Sequence, residues 1–164
     1  MKLKGLELDF VKAKDAIDAS QRTDRQKIAR LHRLEEEYCY RLAKRPRFAL
    51  EVKRRIAETL LRMSVTHGRS VATCRARLKS LSKLGFTNIE MKAHYHLIYA
   101  RAALRQGHRQ IAFKTATRLA LELKRSLPHR RSLLGRELLG NFEELVRITL
   151  AMDQGRPATL PRHW

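Results

Sequence analysis

The sequence predicts an all-α protein of antiparallel helical hairpins, about seven helices forming a bundle or a short helical-repeat array. Three observations carry this expectation. Apolar residues recur at spacings of three and four through most of the chain, the mark of one buried face on a helix of 3.6 residues per turn. Ala, Leu, Arg, Lys and Glu dominate the composition, with seven glycines, four prolines and 6% aromatic residues, which favours helix over strand. Capping residues and glycine stops divide the periodic stretches at short intervals, and short loops between amphipathic helices make neighbours antiparallel.

The first helix is expected over residues 5 to 18, where Leu6, Leu8, Phe10, Val11, Ala13, Ala16 and Ile17 alternate with balanced charges, and it ends near Ser20. The second runs over residues 24 to 45, with Ile28, Leu31, Leu34, Tyr38 and Leu42 on one face, Thr23 or Asp24 capping its start and Pro46 closing it. A third spans 48 to 66 through Val52, Ile56, Leu60 and Met63, stopped at His67-Gly68. Ser70 caps a fourth, over 70 to 84, which buries Val71, Cys74, Leu78 and Leu81 and ends at Gly85. Asn88 caps a fifth over 89 to 106, and Gly107 separates it from a sixth over 111 to 127, so the two read as a tight hairpin. After Pro128 a seventh covers 132 to 152 through Leu134, Leu138, Phe142, Leu145 and Leu150.

With 164 residues, 43% of them hydrophobic, the chain is long enough to bury a continuous core without disulfides or metal. One helical domain is expected over residues 1–154, followed by an extended tail, 155–164, whose Trp164 packs back on the core. Cys39 and Cys74 each fall in an apolar helical stripe and are expected to be buried, unpaired thiols of a reducing compartment. No uncharged stretch approaches the length that spans a bilayer, and the N-terminal residues lack the apolar run of a signal peptide, which points to a cytoplasmic protein without a membrane partner.

Charge is the strongest functional signal. Thirty-six Lys and Arg stand against sixteen Asp and Glu, a formal +20, and such self-repulsion calls for a polyanionic partner. The excess is concentrated. Residues 1 to 20 hold four basic and four acidic groups, and residues 131 to 150 three of each. Between residues 59 and 121, by contrast, twelve basic residues face one acid, Glu90. Ten of these are the candidate nucleic-acid contacts: Arg69, then Arg75, Arg77, Lys79 and Lys83 on the fourth helix, Arg101 and Arg105 on the fifth, Arg109 past the turn, and Lys114 and Arg118 on the sixth. Residues four apart share a helix face, so Arg75, Lys79 and Lys83 form one row, Arg101 and Arg105 another, and Lys114 and Arg118 a third. Like charges at that spacing cost stability, and arginine's planar fork suits phosphate.

These features favour a non-catalytic protein that binds RNA or single-stranded DNA through phosphates; Tyr95, Tyr99, His94 and His96 lie beside the rows as stacking candidates, although the tyrosines are more readily read as core residues. The second helix adds Arg22, Arg25, Arg30 and Arg33 near its start, where the helix dipole disfavours positive charge. The seven histidines and two cysteines show no metal-ligand spacing, and there is no glycine-rich phosphate loop or nucleophile elbow, so no metal, cofactor or enzymatic activity is expected. The hairpin from His94 to His108 is the one place where a histidine base and phosphate-holding arginines fall together.

The same hairpin, residues 93–126, has small residues at Ala100 and Ala112 on either side of the Gly107 turn, with Tyr99 one place ahead of Ala100. In this it resembles one degenerate copy of the tetratricopeptide repeat, departing from that pattern where His96 stands in the usual tryptophan place and Ala116 in the usual aromatic one. The resemblance implies an antiparallel helix pair with a groove for a partner segment, and so an alternative function as an adaptor for an acidic protein.

Overall fold

A computed structural model of the chain describes residues 3–126 and 132–156. Within them it has seven α-helices and no strand: α1 (Leu3–Ala19), α2 (Asp24–Arg41), α3 (Pro46–Thr66), α4 (Val71–Leu84), α5 (Ile89–Arg105), α6 (Arg109–Ser126) and α7 (Leu133–Asp153). The all-helical expectation holds, with 84% of the structure helical. Pro128, most of the tail and Trp164 lie outside the described residues.

Each junction has a local cause. The Thr23 hydroxyl accepts from the Gln26 N–H while the Gln26 side chain accepts from the Thr23 N–H, a complete capping box that starts α2. Ser70, Asn88 and Ser132 accept from the N–H three residues on and start α4, α5 and α7. At Gly68 and Gly107 the backbone turns left-handed (φ 61° and 81°), and the next N–H reaches back five residues, Arg69 to Ser64 at 2.8 Å and His108 to Ala103 at 2.9 Å. This is the Schellman closure, which needs a residue free of a Cβ penalty.

Two expectations require correction. Pro46 does not close α2, which already ends at Arg41; it opens α3 instead. Proline lacks only an N–H that the first helical turn leaves unbonded, whereas it pushes the preceding Arg45 out of helical geometry. The freed Arg45 carbonyl then accepts from Phe48 and Ala49. Cys39 is half-buried rather than buried, its thiol directed to the Ala49 carbonyl at 3.8 Å, while Cys74 is fully enclosed.

The helices pack as two compact units, Met1–Met63 and Ser64–Trp164. In the first, α1 packs on α2, and the core gathers Phe10, Ile17, Leu31, Leu34 and Tyr38 with Val52, Ile56 and Leu60 of α3. Phe10 meets Tyr38 edge-on at 5.3 Å. In the second, α5, α6 and α7 pack on one another around Leu97, Leu104, Leu119, Phe142 and Leu145, with Ala93, Ala100, Ala112 and Ala116 fully buried. Small side chains there let the helix backbones approach closely. The fourth helix packs chiefly along α5.

Candidate nucleic-acid interface

All ten basic residues singled out in the sequence belong to the second unit. Folding gathers nine of them into three groups and sets Arg101 apart.

The first is α4. Its buried stripe of Val71, Cys74, Leu78 and Leu81 leaves Arg75, Lys79 and Lys83 exposed and Arg77 half-exposed. The helix contains no acidic residue, and none of these four cations has an ion-pair partner among the described residues. The sequence row is therefore a real surface row. Arg75 also lies near enough to Tyr99 to act on its hydroxyl, although burial prevails there and holds that hydroxyl's pKa above its ordinary value.

The second group sits where α4 begins and α5 turns into α6. Gln106 joins these segments: its side-chain carbonyl accepts from the Val71 N–H at 3.0 Å and its amide donates to the Arg69 carbonyl at 2.8 Å. That clamp gathers Arg69, Arg105 and Arg109, all exposed, at one end of the unit. Arg109 also donates to the Met152 carbonyl at the end of α7, at 3.4 Å. Sequence reasoning missed Gln106, because a single glutamine beside a glycine turn carries no spacing signal.

The third group is Lys114 and Arg118, exposed on α6. Arg118 neighbours His96, Lys92 and Glu122, and Lys92 pairs with Glu122 across the α5–α6 contact.

Arg101 departs from its expected role. It is half-buried and donates to the Asn141 Oδ1 of α7 at 2.6 Å, with Glu144 close by. Burial, reinforced by Arg105, pulls the guanidinium pKa below its ordinary value. Its place in a row with Arg105 is correct, but α7 covers that part of the row. The same docking supplies acids that a linear count overlooks, since Glu143 pairs with Lys124 at 2.7 Å and Glu144 reaches Arg101.

The stacking candidates are enclosed as well. Tyr95, His96 and Tyr99 are 0%, 6% and 6% exposed. The His96 Nδ1 lies 2.8 Å from the Lys92 carbonyl, its ring tilts against Phe86 at 5.8 Å, and burial lowers its pKa. His94 is half-buried with its ring edge-on to Tyr95 at 5.2 Å.

No family model, curated protein or solved structure matches this chain. The interface is accordingly read from its own chemistry. Among the described residues no group of three His, Cys, Asp or Glu side chains could hold a metal ion, and no helix is long and apolar enough to cross a membrane.

Proposed function

We propose that the protein binds nucleic acid through phosphates, without catalysis, and that α4 is the principal contact. The observation that carries this reading is the set of four cations, Arg75, Arg77, Lys79 and Lys83, on a helix with no acid and with no ion pair among the described residues. Some basic side chains on other helices do find carboxylates, as Arg41 does with Glu37, Arg55 with Glu51 and Lys124 with Glu143, which α4, having no acid of its own, cannot do internally. Arg69, Arg105 and Arg109 extend the positive surface at the start of α4, and Lys114 and Arg118 add a second row. The stacking argument for unpaired RNA or DNA loses its support with Tyr95, His96 and Tyr99 enclosed. Phosphate contact remains as the source of affinity.

Fluorescence anisotropy with labelled 20-nucleotide probes, single- and double-stranded, tests the reading. With about six phosphates neutralised, affinity should fall by roughly three powers of ten between 50 and 200 mM salt, as condensed counterions are released. The triple variant Arg75→Glu, Lys79→Glu, Lys83→Glu should abolish binding with an unchanged helical signal. Binding that survives the reversals, or no binding at low salt, rejects the proposal.

A second reading, an adaptor for an acidic protein, has its own support. In the first unit an open groove of about 470 Å³ runs between α1, α2 and α3, with Leu6, Val11, Phe48 and Val52 along it and Glu7, Glu51 and Arg55 at its rim. Apolar lining suits a docked helix, while two carboxylates against one guanidinium leave any preference for an acidic segment to the basic surface elsewhere. The buried Ala100 and Ala112 beside the Gly107 turn also suit a tetratricopeptide-like pair. Capture of an acidic peptide by a protein that ignores nucleic acid would favour this reading.

A further inference from the structure

The outer face of α4 carries short side chains at its crest from Ala72 to Ser80. With 3.6 residues per turn, each residue advances the helix by about 100°. Opposite the buried stripe of Val71, Cys74, Leu78 and Leu81 lies Ala76, with Ala72 and Ser80 about 40° to either side, and all three are exposed. Arg75 and Arg77 fall about 100° from that crest on opposite flanks, and Lys79 and Lys83 lie within about 60° of it. Short side chains thus form the crest from Ala72 to Ser80 between two arginine flanks, with Lys79 at its edge and Lys83 on it in the last turn.

We infer that α4 seats in the major groove of double-stranded DNA, its alanine crest inward and Arg75 and Arg77 reaching phosphates on the two groove walls. This rests on the nucleic-acid reading above and specifies the form of the ligand. The B-form major groove, about 12 Å wide, admits an α-helix, and the 14 residues of α4 extend about 21 Å along it. Because α4 packs chiefly along α5, its opposite face is open over its full length.

Two alternatives fit less well. A single strand is held by stacking platforms, but α4 has no aromatic residue, Tyr99 beneath it is enclosed, and the half-buried Phe86 just past its end packs on His96. The deep groove of duplex RNA is too narrow for a helix and its side chains. The crest and its edges offer methyl groups, the Thr73 and Ser80 hydroxyls and the Lys79 and Lys83 ammonium groups, with no planar amide or guanidinium to distinguish bases, so sequence preference should be slight.

The test compares three labelled probes of one sequence at low salt: a 20-base-pair DNA duplex, its single strand and the matching RNA duplex. The DNA duplex should bind at least about tenfold more tightly than either other probe. A second arm uses Ala72→Leu combined with Ala76→Leu, which adds bulk to the crest without charge and keeps strong helix formers. It should weaken duplex binding about tenfold and leave single-strand binding within about twofold, since phosphate contact alone does not sense the crest. Single-strand or RNA-duplex binding equal to that of the DNA duplex, or duplex binding indifferent to the leucines, overturns the groove assignment while the nucleic-acid reading stands. Failure of every probe to bind overturns both.

Discussion

His96 illustrates what folding does to one side chain. Burial disfavours its charged form and lowers its pKa from 6.5, outweighing the Lys92 carbonyl and the Glu122 carboxylate that favour the proton, while Arg118 and Lys92 add to the depression. The unfolded chain therefore takes up a proton at this site, as pH falls below about 6.5, before the native protein does, and stability declines with acidification until the native pKa is passed. Urea midpoints measured between pH 7.5 and 5 should fall, and the slope should shrink in His96→Gln; an identical slope in both proteins counts against a neutral buried imidazole. The thiols make a second contrast. Burial raises the pKa of both thiols, so the contrast rests on access: Cys39, half-buried, should react with a maleimide in the native protein, whereas Cys74, enclosed, should react only on unfolding. Mass spectrometry of labelled peptides reads this directly, and equal labelling of both would refute it. Neither distinction was legible in the sequence, where both cysteines sit in apolar stripes. Arg101 and Arg105 make the same point: spacing says that the two share a face, and only tertiary packing says that α7 covers Arg101 and leaves Arg105 exposed.

At the level of elements much more was legible, because caps and stops are local chemistry. Ser70 and Asn88 cap the helices they were expected to cap, Thr23 does so of the two candidates Thr23 and Asp24, and Gly68 and Gly107 terminate α3 and α5. Pro46 misled because a proline signals both a stop behind it and a start ahead of it. The boundary between the two packed units was not marked by glycine, proline or a change of composition, since it falls inside α3. The α5–α6 hairpin offers a direct test. A Cβ at Gly107 would meet no atom within 4 Å, so Gly107→Ala should cost only the left-handed backbone penalty, about 1–2 kcal/mol. Ala112→Leu, in contrast, inserts volume where the residue is fully buried and should cost about 1–3 kcal/mol through overpacking. Urea denaturation reads both, and a neutral Ala112→Leu would mean that the helices are not in close contact at that point.

For the molecule as a whole, a formal charge of +20 sets two opposing dependences on salt. Folding draws the cations together, and only part of the excess is offset locally by pairs such as Lys92–Glu122 and Lys124–Glu143. The unliganded protein should therefore gain stability as salt rises from about 20 to 200 mM, because screening weakens the repulsion. Nucleic acid supplies the missing negative charge in another way. A DNA duplex present at about one hundred times its dissociation constant at low salt should stabilise the folded chain by about 2.7 kcal/mol, raising Tm by roughly 5–10 °C for a protein of this size. That increment should vanish as salt rises, since binding is lost by counterion release. Plotted against salt, Tm without duplex should climb while Tm with duplex starts high and falls to meet it. In the triple variant of Arg75, Lys79 and Lys83 to glutamate, the low-salt Tm without duplex should rise, because three reversals of two charges each take the formal charge from +20 to +14 and weaken the overall repulsion, and the duplex should add nothing. Thermal melts followed by circular dichroism check both curves. Parallel curves, or a variant still stabilised by duplex, would show that the charge of α4 is not what meets the nucleic acid.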